Sequence, residues 1–390
     1  MSNKTKKTSI GGQALIEGIM MKGPDTTAMA VRNASGQIVL EKWETSKKTP
    51  VIAKIPILRG IYGMVSSLTT GYKCLMRSAD IAMEDILAEE EEEKVTAENA
   101  DAPVTDGATE NTETEIAENT ETEVAMQNTV EVNEATSRNV QSEIVAPTPK
   151  KTKAEKTEKE KKDSAMVGVV TVISMVLAVF LSVGLFILLP TVIAAFFVGG
   201  TAEIFGWRIF STNGLFPMTG SAQIVVKSVI EGVLKIVVLV GYMWAVSFMK
   251  EIRTTFMYHG AEHKTIFCYE QGLELTVENV REQRRFHPRC GTSFMILMLL
   301  VSIFIGFFIP FQNTLIRFVV KLLLLPLTIG IGYELIKFAG RHDNVLTRII
   351  SAPGVALQHI TTKEPNDRMI ECAIAAMNEV IPKDSEKDNW

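Results

Sequence analysis

Apolar residues run without a charge from Ala165 to Thr201. That is more than a buried soluble helix needs and enough for one membrane crossing of about 20 residues with a remainder. Pro190 divides the run, so a first span is expected at roughly Met166–Leu189, with Thr191–Gly200 as a short apolar segment at the far interface. A second span is expected to end near Met249, a third to run from about Thr292 to Pro310, and a fourth from about Arg317 to Lys337. Seven lysines between Lys150 and Lys162 precede the first span. Lys250, Arg253, Arg281, Arg284, Arg285 and Arg289 fill the loop between the second and third, and Arg341 and Arg348 follow the fourth. Basic residues of this kind stay on the cytoplasmic side, so both termini and the loop Lys250–Gly291 are expected there, in the cytoplasmic membrane with lipid as partner. Two spans carry charge. Lys227, Glu231 and Lys235 share one helix face of the second, and Glu334 falls about a turn inside the fourth.

Before the spans the pattern changes period. Thr27–Arg32 and Gln37–Glu44 flank Asn33-Ala34-Ser35-Gly36 and read as a hairpin. Ile61, Val65, Leu68, Tyr72, Leu75, Ala79, Met83 and Ile86 then recur every three or four residues, one apolar stripe on a long helix suited to a membrane surface or to core packing.

Composition separates what lies between. Ala88 to Val145 holds seventeen acidic residues against Lys94 and Arg138, with no aromatic residue, so it is expected to be disordered and to act as a dispensable tether. The net charge of −5 reflects this insert, the remainder is basic, and nothing points to nucleic acid. Four cysteines without secreted-scaffold spacing, all on the expected cytoplasmic side, predict no disulfide. The expected fold class is mainly α: a polytopic membrane protein with about four transmembrane helices, a small N-terminal α+β region and a disordered acidic insert. Its divisions fall at residues 1–87, 88–164, 165–249, 250–291, 292–339 and 340–390.

The chemistry concentrates in Tyr258-His259-Gly260-Ala261-Glu262-His263, which has the His-x-x-Glu-His order of the inverted zincins. Two imidazoles four apart share a helix face and can grip one ion, with Glu262 as candidate general base. Glu270 falls on the same face and is a candidate ligand, whereas Cys268 points away. His287-Pro288-Arg289-Cys290 offers an imidazole and a thiolate just before the third span, and Glu334 and His342 belong to the same rim. Three readings stay open. One is an open divalent transition-metal site, zinc first, on which water is activated. Another is a closed structural site using His287 and Cys290, and the third is a set of interfacial polar residues with no metal.

These segments, with Gly11-Gly12-Gln13-Ala14-Leu15-Ile16-Glu17-Gly18-Ile19-Met20-Met21, Phe286-His287-Pro288-Arg289-Cys290-Gly291-Thr292-Ser293 and the stretch Leu357 to Asp367, resemble the YqhQ-like bacterial membrane proteins. That family has no defined function, and its members are described as metal-dependent enzymes. The resemblance covers nearly everything except the acidic insert. It draws attention to Gln13 and Glu17, whose flanking Gly11, Gly12 and Gly18 allow close backbone approach to the loop or membrane rim. The functional expectation is a metal-dependent hydrolase acting on a peptide or lipid-like substrate. The alternative is a non-enzymatic carrier or a scaffold braced by a structural metal.

Overall fold

The computed structural model of the 390-residue chain describes residues 7–45, 50–100, 170, 173–204, 207–217, 220–311, 314–342, 344–384 and 388. Most of the acidic insert lies outside these residues. Its first part does not: helix α1 spans Leu58–Ala100, so the chain stays helical well past the expected boundary at residue 87. The run Ala88-Glu89-Glu90-Glu91-Glu92-Glu93-Lys94 consists of good helix formers, which explains the extension.

The N-terminal region is a four-stranded antiparallel meander of β1 (Gly11–Leu15), β2 (Gly18–Lys22), β3 (Thr26–Arg32) and β4 (Ile38–Glu44). The hairpin β3–β4 is the expected one, closed by Gly36 at φ 84°. Strands β1 and β2 are an addition to it. Their two-residue connection places Glu17 at φ 48°, where its carbonyl accepts the Arg32 N–H at 2.8 Å. Both sheet faces are covered, and the side chains divide with period two. Ile19, Met21, Ala28 and Ala30 pack with residues of helices α4 (Lys250–Glu270) and α10 (Asp367–Val380), whereas Leu15, Met20, Met29 and Val31 pack with Cys74 and Ile81 of α1. The buried line of α1 is therefore Cys74, Ser78 and Ile81, and much of the expected stripe (Val65, Leu68, Tyr72 and Met83) is exposed.

The remaining helices are α2 (Ile173–Val198), α3 (Gly220–Val246), α5 (Val277–Arg281), α6 (Gly291–Gly306), α7 (Thr314–Leu323), α8 (Leu325–Arg341) and α9 (Val345–Thr361). A small hairpin, β5 (Gly200–Ile204) with β6 (Trp207–Thr212), joins α2 to α3. Helix α6 is the middle of this bundle, packed on α3, α8 and α9.

The four expected spans are realised unevenly. Among the described residues only α2, 26 residues long with mean hydropathy 2.7, is long and apolar enough to cross a membrane by itself. Pro190 does not divide it, because a π-helical stretch at Gly184–Leu188 loosens the turn before the proline and the helix continues to Val198. The fourth expected span is broken at Leu324, with α7 and α8 bent by 47° and Pro326 at the start of α8, and counts as a second crossing only if the pair is one span. The third is 16 residues, about 24 Å of helix against a hydrocarbon core of about 30 Å. Helix α3 is long enough but carries Lys227, Glu231 and Lys235. The fold is thus mainly helical with a small antiparallel sheet, and one or two of its helices have the length and composition of a membrane span.

Candidate metal centre

Helix α4 lies between the sheet and the segment that follows α9, and glycines set both distances. A Cβ on Gly260 would stand 2.0 Å from the Lys363 carbonyl oxygen, and one on Gly12 would stand 2.9 Å from Cγ and Cδ of Glu262. This close approach aligns the histidines. His259 Nδ1 lies 2.9 Å from the Thr361 carbonyl and His263 Nδ1 lies 2.5 Å from the Arg285 carbonyl. A carbonyl only accepts, so each Nδ1 carries a proton, which leaves Nε2 as the atom that can bind an ion once it gives up its own proton.

Both imidazoles face one sulfur. His259 Nε2 is 3.1 Å from Cys290 Sγ, and the donor atoms of His259, His263 and Cys290 all fall within 4.8 Å of one another. Cys290 is the N-cap of α6, and its sulfur accepts the Thr292 N–H at 3.4 Å. The helix terminus and two imidazoles favour the thiolate. Burial pushes the Cys290 thiol up, but His259 and His263 outweigh it and hold it well below the usual range. Burial lowers the His259 imidazole, yet the facing Cys290 raises it to about 9. Tetrahedral zinc with bonds of about 2.05 Å to nitrogen and 2.3 Å to sulfur needs N···S separations of about 3.6 Å, so the His259–Cys290 pair would open by about 0.5 Å to hold one ion. Glu262 completes the surroundings. It accepts the Gly12 N–H, and burial holds its carboxyl above the usual range against the pull of both imidazoles.

The structure brings together His259, His263, Cys290 and Glu262 and leaves two predicted ligands out. Glu270 sits seven residues beyond His263, about 10.5 Å along the axis, so sharing a helix face does not bring it to the ion. Its carboxylate accepts instead from the Thr8 N–H at 2.8 Å and from the Arg289 guanidinium. His287 is turned to the same cluster, with Nδ1 accepting the Arg289 N–H at 3.3 Å and Nε2 3.8 Å from Glu270. Burial lowers its pKa to about 4. These two residues brace the loop that delivers Cys290. Cys268, excluded from the outset, is buried among apolar residues and donates to the Glu274 carbonyl.

The other candidates are dispersed. Glu17 accepts from the buried Tyr258 hydroxyl at 3.3 Å, and Gln13 lies over Gly71 of α1. Glu334 pairs with Arg59 and accepts from the Ile57 N–H at 3.3 Å, which fastens the start of α1 to α8. His342 closes α8, with Nδ1 bonded to the Phe338 carbonyl, and is exposed. Sequence reasoning missed Gln358. Fully buried on α9, it accepts the His287 N–H at 2.8 Å and donates to the His287 carbonyl at 2.7 Å and to Ser293 Oγ at 3.0 Å. No local pattern marks it, since its partners lie 65 to 71 residues away.

Residues 55–383 match the family model described as "Protein of unknown function (DUF1385)". The chain belongs to the DUF1385 family. The match includes His259, His263 and Cys290 but starts after the N-terminal sheet. A relative that does cover the sheet is the "Uncharacterized protein YqhQ" of Bacillus subtilis (strain 168), 28% identical over 384 residues, which are 98% of this chain and 95% of that protein. No solved structure matches the chain.

Proposed function

We propose that this DUF1385 protein is a multi-pass protein of the cytoplasmic membrane that holds a divalent transition metal, zinc first, at His259, His263 and Cys290. We further propose that it works as a metal-dependent hydrolase on a peptide or lipid-like substrate at the cytoplasmic surface. One observation carries the reading: two Nε2 atoms and one sulfur converge while both Nδ1 atoms are tied to backbone carbonyls. A backbone carbonyl holding Nδ1 fixes the ring of a ligating histidine so that Nε2 points at the ion. Three protein ligands leave a coordination position for substrate, and zinc there would supply Lewis acidity towards a carbonyl or phosphoryl oxygen. Glu262 is the candidate general base, and burial raises its carboxyl, the direction that makes a carboxylate a better proton acceptor.

The membrane reading is supported by exposed apolar surface. Ile173, Met175, Leu177, Phe180 and Leu181 of α2 all stand out from the bundle, as do Val233, Val237 and Trp244 of α3 and Phe304 of α6. Patches of that extent are rare on soluble surfaces. The exposed stripe on α1 suits the same lipid surface.

The test is elemental analysis of protein purified in detergent without chelator or affinity tag. About one equivalent of transition metal is expected for a three-ligand site. The double change His259→Ala with His263→Ala abolishes binding, and Glu262→Gln retains the metal while losing hydrolysis. Metal absent from the wild type refutes the centre. The competing reading, a scaffold braced by a structural metal, is favoured by the cysteine ligand and wins if a fourth protein ligand saturates the bound ion in its X-ray absorption spectrum. A reporter fused after Gly272 that registers outside refutes the orientation.

A further inference from the structure

The far end of the bundle holds charges that the metal centre does not use. Lys227 and Lys235 of α3 and Arg317 and Lys321 of α7 line one cavity of about 220 Å³ between α2, α3 and α7, together with the single carboxylate of Glu231 and the hydroxyl of Thr191. Lys227, Glu231 and Arg317 are buried. Lys321 Nζ approaches Glu231 at 3.7 Å, so one cation of the four has its anion. Arg317 spends one terminal nitrogen on Ser228 Oγ and the Gly306 carbonyl, and its buried Nε has no hydrogen-bond partner among the described residues.

Uncompensated charge in an apolar surrounding is costly, and proteins keep it where a ligand or partner neutralises it. Here the excess is positive, and the arginine fork with three ammonium groups matches a tetrahedral oxyanion. At about 30 Å³ per water, the cavity has room for one such group with several waters and is too small for a whole lipid. Its position separates it from the metal. Helix α6 runs from Cys290 at one end to Gly306, which touches Arg317, at the other, about 24 Å away.

We propose that this cavity binds a phosphate group, independently of the metal reading, with Arg317, Lys227, Lys235 and Lys321 as its ligands and Glu231 positioning Lys321. The group comes either from an anionic phospholipid, its chains lying along the exposed apolar faces of α2 and α3, or from free phosphate.

Thermal unfolding of the full chain, delipidated in neutral detergent, decides this. Two additions are compared at matched ionic strength or lipid content: inorganic phosphate against chloride, and phosphatidylglycerol against phosphatidylcholine. A ligand well above its Kd raises the midpoint by a few degrees. A rise with phosphatidylglycerol alone assigns the lipid headgroup, and a rise with phosphate assigns the free anion. Arg317→Gln and Lys235→Gln each weaken the response at least about tenfold, as loss of a buried charge contact does. Arg317→Gln also disturbs Ser228, so Lys235→Gln carries the test if the arginine variant does not fold. A midpoint that neither addition moves beyond its control overturns the proposal. So does a Lys235→Gln protein that responds like the wild type.

Discussion

Substituting Gly260 by alanine sets two effects of opposite sign against each other. In a helix interior the change is worth about 1 kcal/mol in favour of alanine. Against it stands the Lys363 carbonyl oxygen, 2.0 Å from where the Cβ would be. Ordinary contact lies beyond 3 Å, so α4 and the chain after α9 must part by more than 1 Å. The backbone there is fixed, because the Lys363 N–H donates to the Phe256 carbonyl at 2.8 Å and Thr361 holds His259. Overpacking of this kind costs about 1–3 kcal/mol, occasionally more, and loss of the Thr361 contact lowers metal affinity about 10–100-fold. The expected outcome is therefore a net loss of about 0–2 kcal/mol after the helix gain is subtracted, which leaves it about 1–3 kcal/mol below a glycine-to-alanine change free of the clash, with weakened metal binding. Gly63, on α1, is the control. A Cβ there meets only Tyr333 Cε2 at 3.9 Å, so Gly63→Ala should be neutral or stabilising. Thermal midpoints and zinc competition against a chromogenic chelator measure both. A Gly260→Ala protein as stable as Gly63→Ala, with wild-type zinc affinity, would refute the packing argument.

Gln358→Leu leaves the buried His287 N–H and carbonyl without partners, at about 1–3 kcal/mol each. Denaturant midpoints should drop accordingly, and zinc affinity should fall because the Cys290 loop loosens. Burial of Glu364 pushes its carboxyl up, but Lys264 at 2.8 Å and Arg285 at 2.5 Å hold it below the usual range. A depressed carboxylate contributes stability above its unfolded pKa of about 4.3 that is lost as pH falls through the folded value. Glu364→Gln should accordingly flatten the acid limb of the stability–pH curve while leaving its neutral shape unchanged, and an unaltered acid limb contradicts the pairing. Metal affinity should weaken progressively as pH falls below about 9, since the His259 imidazole, raised by the facing Cys290, must give up its second proton to bind an ion; equilibrium dialysis across pH 6–10 checks it, and an affinity flat over that range contradicts the pairing. Deleting residues 101–143 should leave expression and membrane insertion intact, and loss of folding would contradict the expectation of a tether.

What the sequence disclosed depended on how local the cause was. The β3–β4 hairpin was legible because alternation meets a turn that Gly36 can adopt. Strand β2 was not, since Gly18-Ile19-Met20-Met21 is buried on both faces and shows no alternation. The histidine pair followed from the four-residue interval alone. The choice of Cys290 over His287 and Glu270 did not, because Arg289, Gln358 and Thr8 turn that loop from elements distant in sequence. Helix periodicity gave α1 its course from Ile61 to Ile86 but not its extension to Ala100 or its buried line, which the sheet selects at Cys74, Ser78 and Ile81. The break at Leu324 and the shortness of α6 were not legible, because they belong to packing, not to hydropathy.

The two extremities of the described chain meet. Asp388, wholly enclosed, accepts from Thr8 Oγ1 at 2.5 Å, Ser9 N at 2.8 Å and the Tyr269 hydroxyl at 2.9 Å. Tyr269 adjoins Glu270, so this knot lies one residue from the carboxylate that braces the Cys290 loop. The polypeptide is in effect a ring whose clasp is a hydrogen-bonded cluster, and residues 101–169 are the natural place to open it. A circular permutant that fuses the clasp and begins within residues 101–169 keeps every described contact, whereas a bulky tag placed against Asp388 pulls on the metal centre itself.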